Sequence, residues 1–119
     1  MIKGLGLAET KDFVSNYDKD DQKTIWKIGV LDSDIFDLVE NSTALAMTTA
    51  VRFGLKGFEN FVDSAGKPVV FTTKNILVGV TTYAVVADSI MKIITPEVKY
   101  ELAVQILKMS KLSEQEIKN

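Results

Sequence analysis

The apolar positions of this chain change period several times. In residues 24–31, a run rich in β-branched side chains, Trp26, Ile28 and Val30 fall on one face of a strand. Gly29 marks a bulge or a close approach there. Ile35, Phe36, Leu38 and Val39 then give the apolar side of a short helix. Asp32-Ser33-Asp34 supplies its capping oxygens and N-terminal negative charge, and Asn41-Ser42-Thr43 ends it. Residues 44–62 read two ways. They form one long helix capped by Ser42 or Thr43, or a loop or strand that leads into a shorter helix. A helix from about Thr48 is the preferred reading, because Val51, Gly54, Leu55, Phe58 and Val62 share one face at helical period. Gly66 then turns the chain, and Pro68 blocks continuation.

Beyond Pro68 the pattern becomes extended. Residues 69–73 read as a second strand. Residues 76–86 read as a hairpin turning near Gly79, or as a single buried strand. Asp88-Ser89 opens a short helical turn through Ile90, Met91, Ile93 and Ile94. Thr95-Pro96-Glu97 is the clearest helix start: a cap, a proline at the first helical position and an acid at the positive end of the dipole. Val98, Leu102, Ile106 and Met109 form the seam of that helix, which runs to about Met109. Ser113-Glu114-Gln115-Glu116 matches a capping box. Residues 1–23 look like an arm, with Phe13, Val14 and Tyr17 as a small anchor and a solvated charge run from Asp18 to Lys23. The expected architecture is α+β, a small, mostly antiparallel sheet of three to four strands packed against three to four helices, with 1–23 as the arm and 24–119 as a single domain.

Composition narrows the chemistry. Of 119 residues, 46% are apolar and 25% charged, ordinary values for a folded domain. The net charge of −2 gives no electrostatic footprint for nucleic acid. Cysteine and histidine are both absent, which removes thiolate chemistry and the commonest general base and transition-metal ligand. The N-terminus is too soon charged for a signal peptide. The longest uncharged run, residues 75–87, is about thirteen residues, against about twenty for a membrane helix. No membrane anchor, cofactor or metal is therefore expected. Asp18-Lys19-Asp20-Asp21 resembles the start of a calcium loop, but Lys23 and Gly29 stand where the loop needs Gly and Glu. Gly4-Leu5-Gly6 lacks the rest of a dinucleotide fingerprint. Asp32, Asp34 and Asp37 are better read as capping groups than as an acid–base pair. Arg52, Lys56 and Lys67 lie among Phe53, Phe58 and Phe61, a mixture that base stacking uses, but the spacing of the rings fits a core.

What remains is protein binding. Residues 51–61 hold three phenylalanines and two glycines. Two interior glycines cost a helix roughly 2 kcal/mol against alanine, which suggests a close backbone approach. The expected partner-binding residues are Phe53, Gly57 and Phe61 on one side of the central helix, with Val78, Val80 and Tyr83 of the apolar hairpin. The uncharged run of residues 75–87 reads as core strand, or as core plus a sheet edge covered by another chain.

Three segments together carry a resemblance: Val51-Arg52-Phe53-Gly54-Leu55-Lys56-Gly57-Phe58-Glu59-Asn60-Phe61, Tyr83-Ala84-Val85-Val86-Ala87-Asp88-Ser89-Ile90, and the ending from Glu101-Leu102-Ala103 to Leu112-Ser113-Glu114-Gln115-Glu116-Ile117-Lys118-Asn119. The pattern resembles small tailed-bacteriophage proteins of the virion structural gene cluster, among them tail-assembly-chaperone-like and other morphogenesis proteins. The resemblance implies a non-enzymatic late protein of head or tail assembly, made in the host bacterial cytoplasm and open to inclusion in the virion. Its partners would be other phage structural or morphogenesis proteins, with a homo-oligomer open. The alternative is a phage protein that engages a host protein, as an inhibitor or as a trigger sensed by an anti-phage defence system. The resemblance transfers no site residues.

Overall fold

The computed structural model describes residues 1–40 and 46–111. Five strands and four helices follow one another as β1 (Thr10–Phe13), β2 (Ile25–Gly29), α1 (Ser33–Glu40), α2 (Ala46–Gly54), β3 (Leu55–Glu59), β4 (Thr73–Val78), β5 (Thr81–Val86), α3 (Asp88–Ile93) and α4 (Pro96–Met109). The fold is α+β, as expected. Its strands form two antiparallel sheets, β1-β2-β3 and β4-β5, where one was anticipated. Among the described residues no helix is long and apolar enough to cross a membrane.

β2 is the central strand because its pattern suits a half-buried position. Trp26 and Ile28 point into the core, as their alternation predicts. The bulge lies between Lys27 and Ile28 in the pairing with β3, beside the glycine expected to mark it. Residues 1–23, read as an arm, contribute β1, which pairs with β2 of the same chain. The loop after β1 is tied to α4: the buried Ser15 donates its hydroxyl to Glu101 Oε1, and the Asn16 N–H donates to Oε2 at 3.0 Å.

The central helix is shorter than its pattern suggested. α2 stops at Gly54, and the chain enters β3 with no intervening loop. The expected helical face of Val51, Gly54, Leu55, Phe58 and Val62 therefore does not form. Leu55, Gly57 and Phe58 instead pair with Ile28, Lys27 and Trp26 of β2. The strand satisfies backbone groups along the open side of β2, and the two glycines weaken the competing helix. The Lys56 ammonium folds back onto the Phe53 carbonyl at 2.8 Å and satisfies one of the open carbonyls at the end of α2. Asn60, in the left-handed region at φ 62°, closes the strand, and its carbonyl accepts from Thr24 Oγ1 at 2.8 Å.

The segment read as a second strand over 69–73 is also reassigned. A tight turn closed by Asp63, whose Oδ1 accepts from the N–H groups of Ala65 and Lys67, bridges Val62 to Pro68. The ladder starts only at Thr73 and pairs with β5 through Val86. The hairpin turns where expected. Val78 faces Thr81 across a two-residue turn, and Gly79 takes the positive φ of 61° that a type II′ turn requires at its first central position.

The seam of the last helix and the cap at Asp32 are as expected, whereas the side-chain cap expected of Thr95 does not form. Asp32 Oδ1 accepts from the Ile35 N–H at 2.9 Å and caps α1. α4 begins at Pro96 and ends at Met109 as predicted, although the Thr95 side chain makes no capping bond. Its Leu102, Ala103 and Ile106 are fully buried where α4 packs on α2, in one core with Ala50, Val51, Val85 and Val86. Val98 and Met109 sit at the margins of this seam. Beneath the seam's end, the buried Ser110 hydroxyl accepts from the Leu31 N–H at 2.8 Å and donates to the Ile106 carbonyl. The readings at Asn41, Ser42 and Thr43, and the capping box from Ser113 to Glu116, lie outside the described residues.

Candidate protein-binding surface

The six residues expected to bind a partner separate into three environments. Phe53, the penultimate residue of α2, is 9% exposed, with its ring edge-on to Tyr83 at 5.3 Å. Gly57 is in β3 opposite Lys27. Phe61 follows β3 and joins an aromatic cluster. The helical side that was to unite these three is absent, because the helix ends before Gly57.

The cluster is built around Trp26, whose ring centre lies 5.8 Å from that of Phe58 and 4.9 Å from that of Phe61. Phe58 also meets Phe61 at 5.1 Å and Phe71 at 5.3 Å, both edge to face. The rings therefore pack mainly on one another. One side of the cluster opens into a groove of about 350 Å³, with Trp26, Phe61 and Ile94 among its lining residues and Tyr17, Val62 and Ile93 more exposed along it.

The hairpin behaves differently. Register places Ile76, Val78, Tyr83 and Val85 on the face turned toward the core. The opposite face carries Thr73, Asn75, Leu77, Thr82 and Ala84, all exposed, and ends at the fully buried Val86. Leu77 is 68% exposed and Val80, in the turn, 99% exposed. Val70, in the approach to the hairpin, is 76% exposed. Leu77 and Val70 escaped the sequence reading, since face assignment needs the pairing partner as well as the alternation. Two-residue hairpin loops favour Gly, Asn, Asp and Ser. A β-branched apolar residue that touches nothing in its own chain does not serve the turn.

Polar groups also converge beside Phe53. Asp32, Lys56 and Tyr83 line a small cavity of about 190 Å³ with Leu7, Val30, Leu31, Ile35 and Phe53. Each polar group is committed there. The Tyr83 hydroxyl donates to Asp32 Oδ2 at 2.7 Å, while the other oxygen of Asp32 caps α1. The hydrogen bond to Asp32, with lesser help from burial and the carboxylate charge, pushes the Tyr83 phenol up to about 12. Burial lowers the Lys56 amine, opposed by the Asp32 charge. A phenol held this firmly protonated is a poor general base near neutrality. The Tyr83–Asp32 bond instead clips the hairpin to α1. Because the phenol is raised in the folded chain, this clip stabilises the fold below pH ~10, the ordinary tyrosine value, and is lost as pH rises toward about 12. A tyrosinate absorbance titration should therefore show a late phase near pH 12 that disappears in Tyr83→Phe.

A second clip joins the hairpin to α2 and α3. Asp88 accepts from Lys74 at 2.9 Å and from Arg52 at 2.6 Å. Lys74 first, and then Arg52, hold its carboxyl below the ordinary range. Arg52 and Lys56, considered above beside a stacking surface, are thus both engaged within the chain. Asp18, the first residue of the calcium-like run, spends its carboxylate on the N–H groups of Asp20 and Thr24. Among the described residues no group of three or more acidic side chains is placed to hold a metal ion.

Compared with protein-family models, curated protein sequences and solved structures, the chain gives no match.

Proposed function

We propose that this chain works by binding another protein through its β4-β5 hairpin, without catalysing a reaction, and that the partner is a structural or morphogenesis protein of a phage particle. The observation that carries the binding reading is Val80. It is 99% exposed at the tip of a hairpin that Tyr83–Asp32 and Lys74–Asp88 tie to the rest of the chain. Folding gains nothing from an apolar side chain there, whereas a partner that covered it would remove it from water. Leu77 and Val70 extend the apolar character beyond the tip. The phage setting rests on the sequence resemblance, and the polar trio supports the non-enzymatic reading because its groups are spent on the fold.

Val80→Asp tests this directly. Isolated by tag from phage-infected cells, the parent chain should bring down a virion or morphogenesis polypeptide. Val80→Asp should retain less than about a tenth of that capture, the effect of losing a binding contact worth roughly 1.4 kcal/mol. Its melting temperature should match the parent's, because the side chain has no packing to lose. Equal capture by both chains would contradict the hairpin assignment. Capture of a host defence protein in place of phage polypeptides would move the function to host engagement.

A further inference from the structure

We propose that two copies of this chain pair with one another, β4 against β4 in antiparallel register, so that the two hairpins form one four-stranded sheet across a two-fold axis. This rests on the reading of the hairpin as a binding surface and names a second copy as one occupant of it.

In a two-residue hairpin the closing pair, Val78 and Thr81, exchanges hydrogen bonds, and alternation from there turns the backbone groups of Ile76 and Lys74 toward β5. Those of Thr73, Asn75 and Leu77 then point to the other side. Among the described residues no strand pairs with that side, while α2 and β3 pack against β5. β4 therefore presents an open edge that is regular along its length, with no bulge and no proline.

Protein edges left open to water are commonly guarded by charge, proline or a bulge. β1 follows that rule, with Lys11 and Asp12 in its short length. β4 does not. Its one charge, Lys74, is drawn onto Asp88 at 2.9 Å, and the outward residues Thr73, Asn75 and Leu77 are uncharged. The edge is also its own complement. An antiparallel pair centred on Asn75 sets Thr73 against Leu77 and Lys74 against Ile76 of the second copy; one centred on Ile76 sets Asn75 against Leu77 and Lys74 against Val78. Neither register brings two lysines face to face, and both let outward N–H and C=O groups find partners.

Asn75→Pro isolates the claim. The N–H it deletes points away from β5, so the hairpin ladder keeps all its bonds, whereas the paired edge loses one bond from each copy. Leu77→Lys is the second variant, adding a charge to the edge without touching the backbone. In a sedimentation-equilibrium concentration series the parent chain should dimerise, and each variant should weaken dimerisation by about tenfold or more while keeping the parent's circular dichroism spectrum. Hydrogen exchange at the Asn75 and Leu77 amides should be slow in the concentrated parent and fast on dilution. A parent chain that stays monomeric throughout the series, or a dimer unaffected by both variants, overturns the proposal. A monomer that still captures a phage polypeptide in a Val80-dependent way would remove self-pairing alone. A β4 dimer that captures nothing would remove the assembly role alone.

Discussion

Replacing Trp26 with alanine is expected to destabilise the fold by about 3–5 kcal/mol. Trp26 is 3% exposed on the central strand of the larger sheet, and it contacts both Phe58 and Phe61. Phe58 lies in β3 and Phe61 just past its end, and Phe58 in turn meets Phe71 beyond the chain reversal, so the indole anchors β3 and, through Phe58, the segment leading to the hairpin onto β2. Deleting it leaves a cavity that the remaining rings can fill only by abandoning their edge-to-face contacts. Domains of this size have about 5–15 kcal/mol in total, so the variant should lose a large share of its stability. Urea unfolding followed by circular dichroism measures it, since the fluorescent residue is the one removed. A loss below about 1 kcal/mol would mean that the ring cluster is not a structural core.

The second large effect is expected where helix propensity predicts the opposite sign. Alanine is favoured over glycine in a helix by up to about 1 kcal/mol, yet Gly54→Ala should destabilise the protein by about 1–3 kcal/mol. A Cβ on Gly54 would lie 2.5 Å from Ile106 Cγ2 and 2.7 Å from its Cδ1. Ile106 is fully buried, and a β-branched side chain in a helix has one strongly preferred rotamer, so it cannot swing aside. This is the close approach that the glycine content of residues 51–61 suggested, made between α2 and α4 within the chain. Ile106→Ala alone should cost about 2–5 kcal/mol by leaving a cavity. The double variant should lose less than the sum, because the new methyl occupies part of the space the isoleucine vacates. Additive losses in chemical denaturation would show that the two positions do not press on each other.

Local signals account for the parts of the fold that were legible in the sequence. Thr95-Pro96-Glu97 starts α4, Asp32 caps α1, and Gly79 among β-branched residues turns the hairpin; each acts through atoms within a few residues. Where the reading failed, distant partners decided. Leu55-Lys56-Gly57-Phe58-Glu59 suits helical and extended conformations alike, and the open side of β2 resolves it as a strand. Thr10-Lys11-Asp12-Phe13 has no apolar alternation, since an edge strand with three exposed residues needs none. The candidate site shared this weakness. Phe53 and Phe61 were grouped by a helical face that ends at Gly54, and both are drawn into internal packing. Val80 was visible because the turn that displays it is local. Leu77 was not, because its exposure depends on which residue of β5 it faces and on what covers the other side.

The central claim is that the hairpin tip meets another polypeptide. A photo-crosslinking amino acid placed at position 80, in a chain expressed in phage-infected cells, tests it at the residue itself. The account predicts a discrete adduct with a virion or morphogenesis polypeptide, competed away by excess unlabelled parent chain and absent when the probe is moved to the exposed Lys11 of β1. Irradiation that leaves position 80 reacted only with water, in a folded chain, would contradict it.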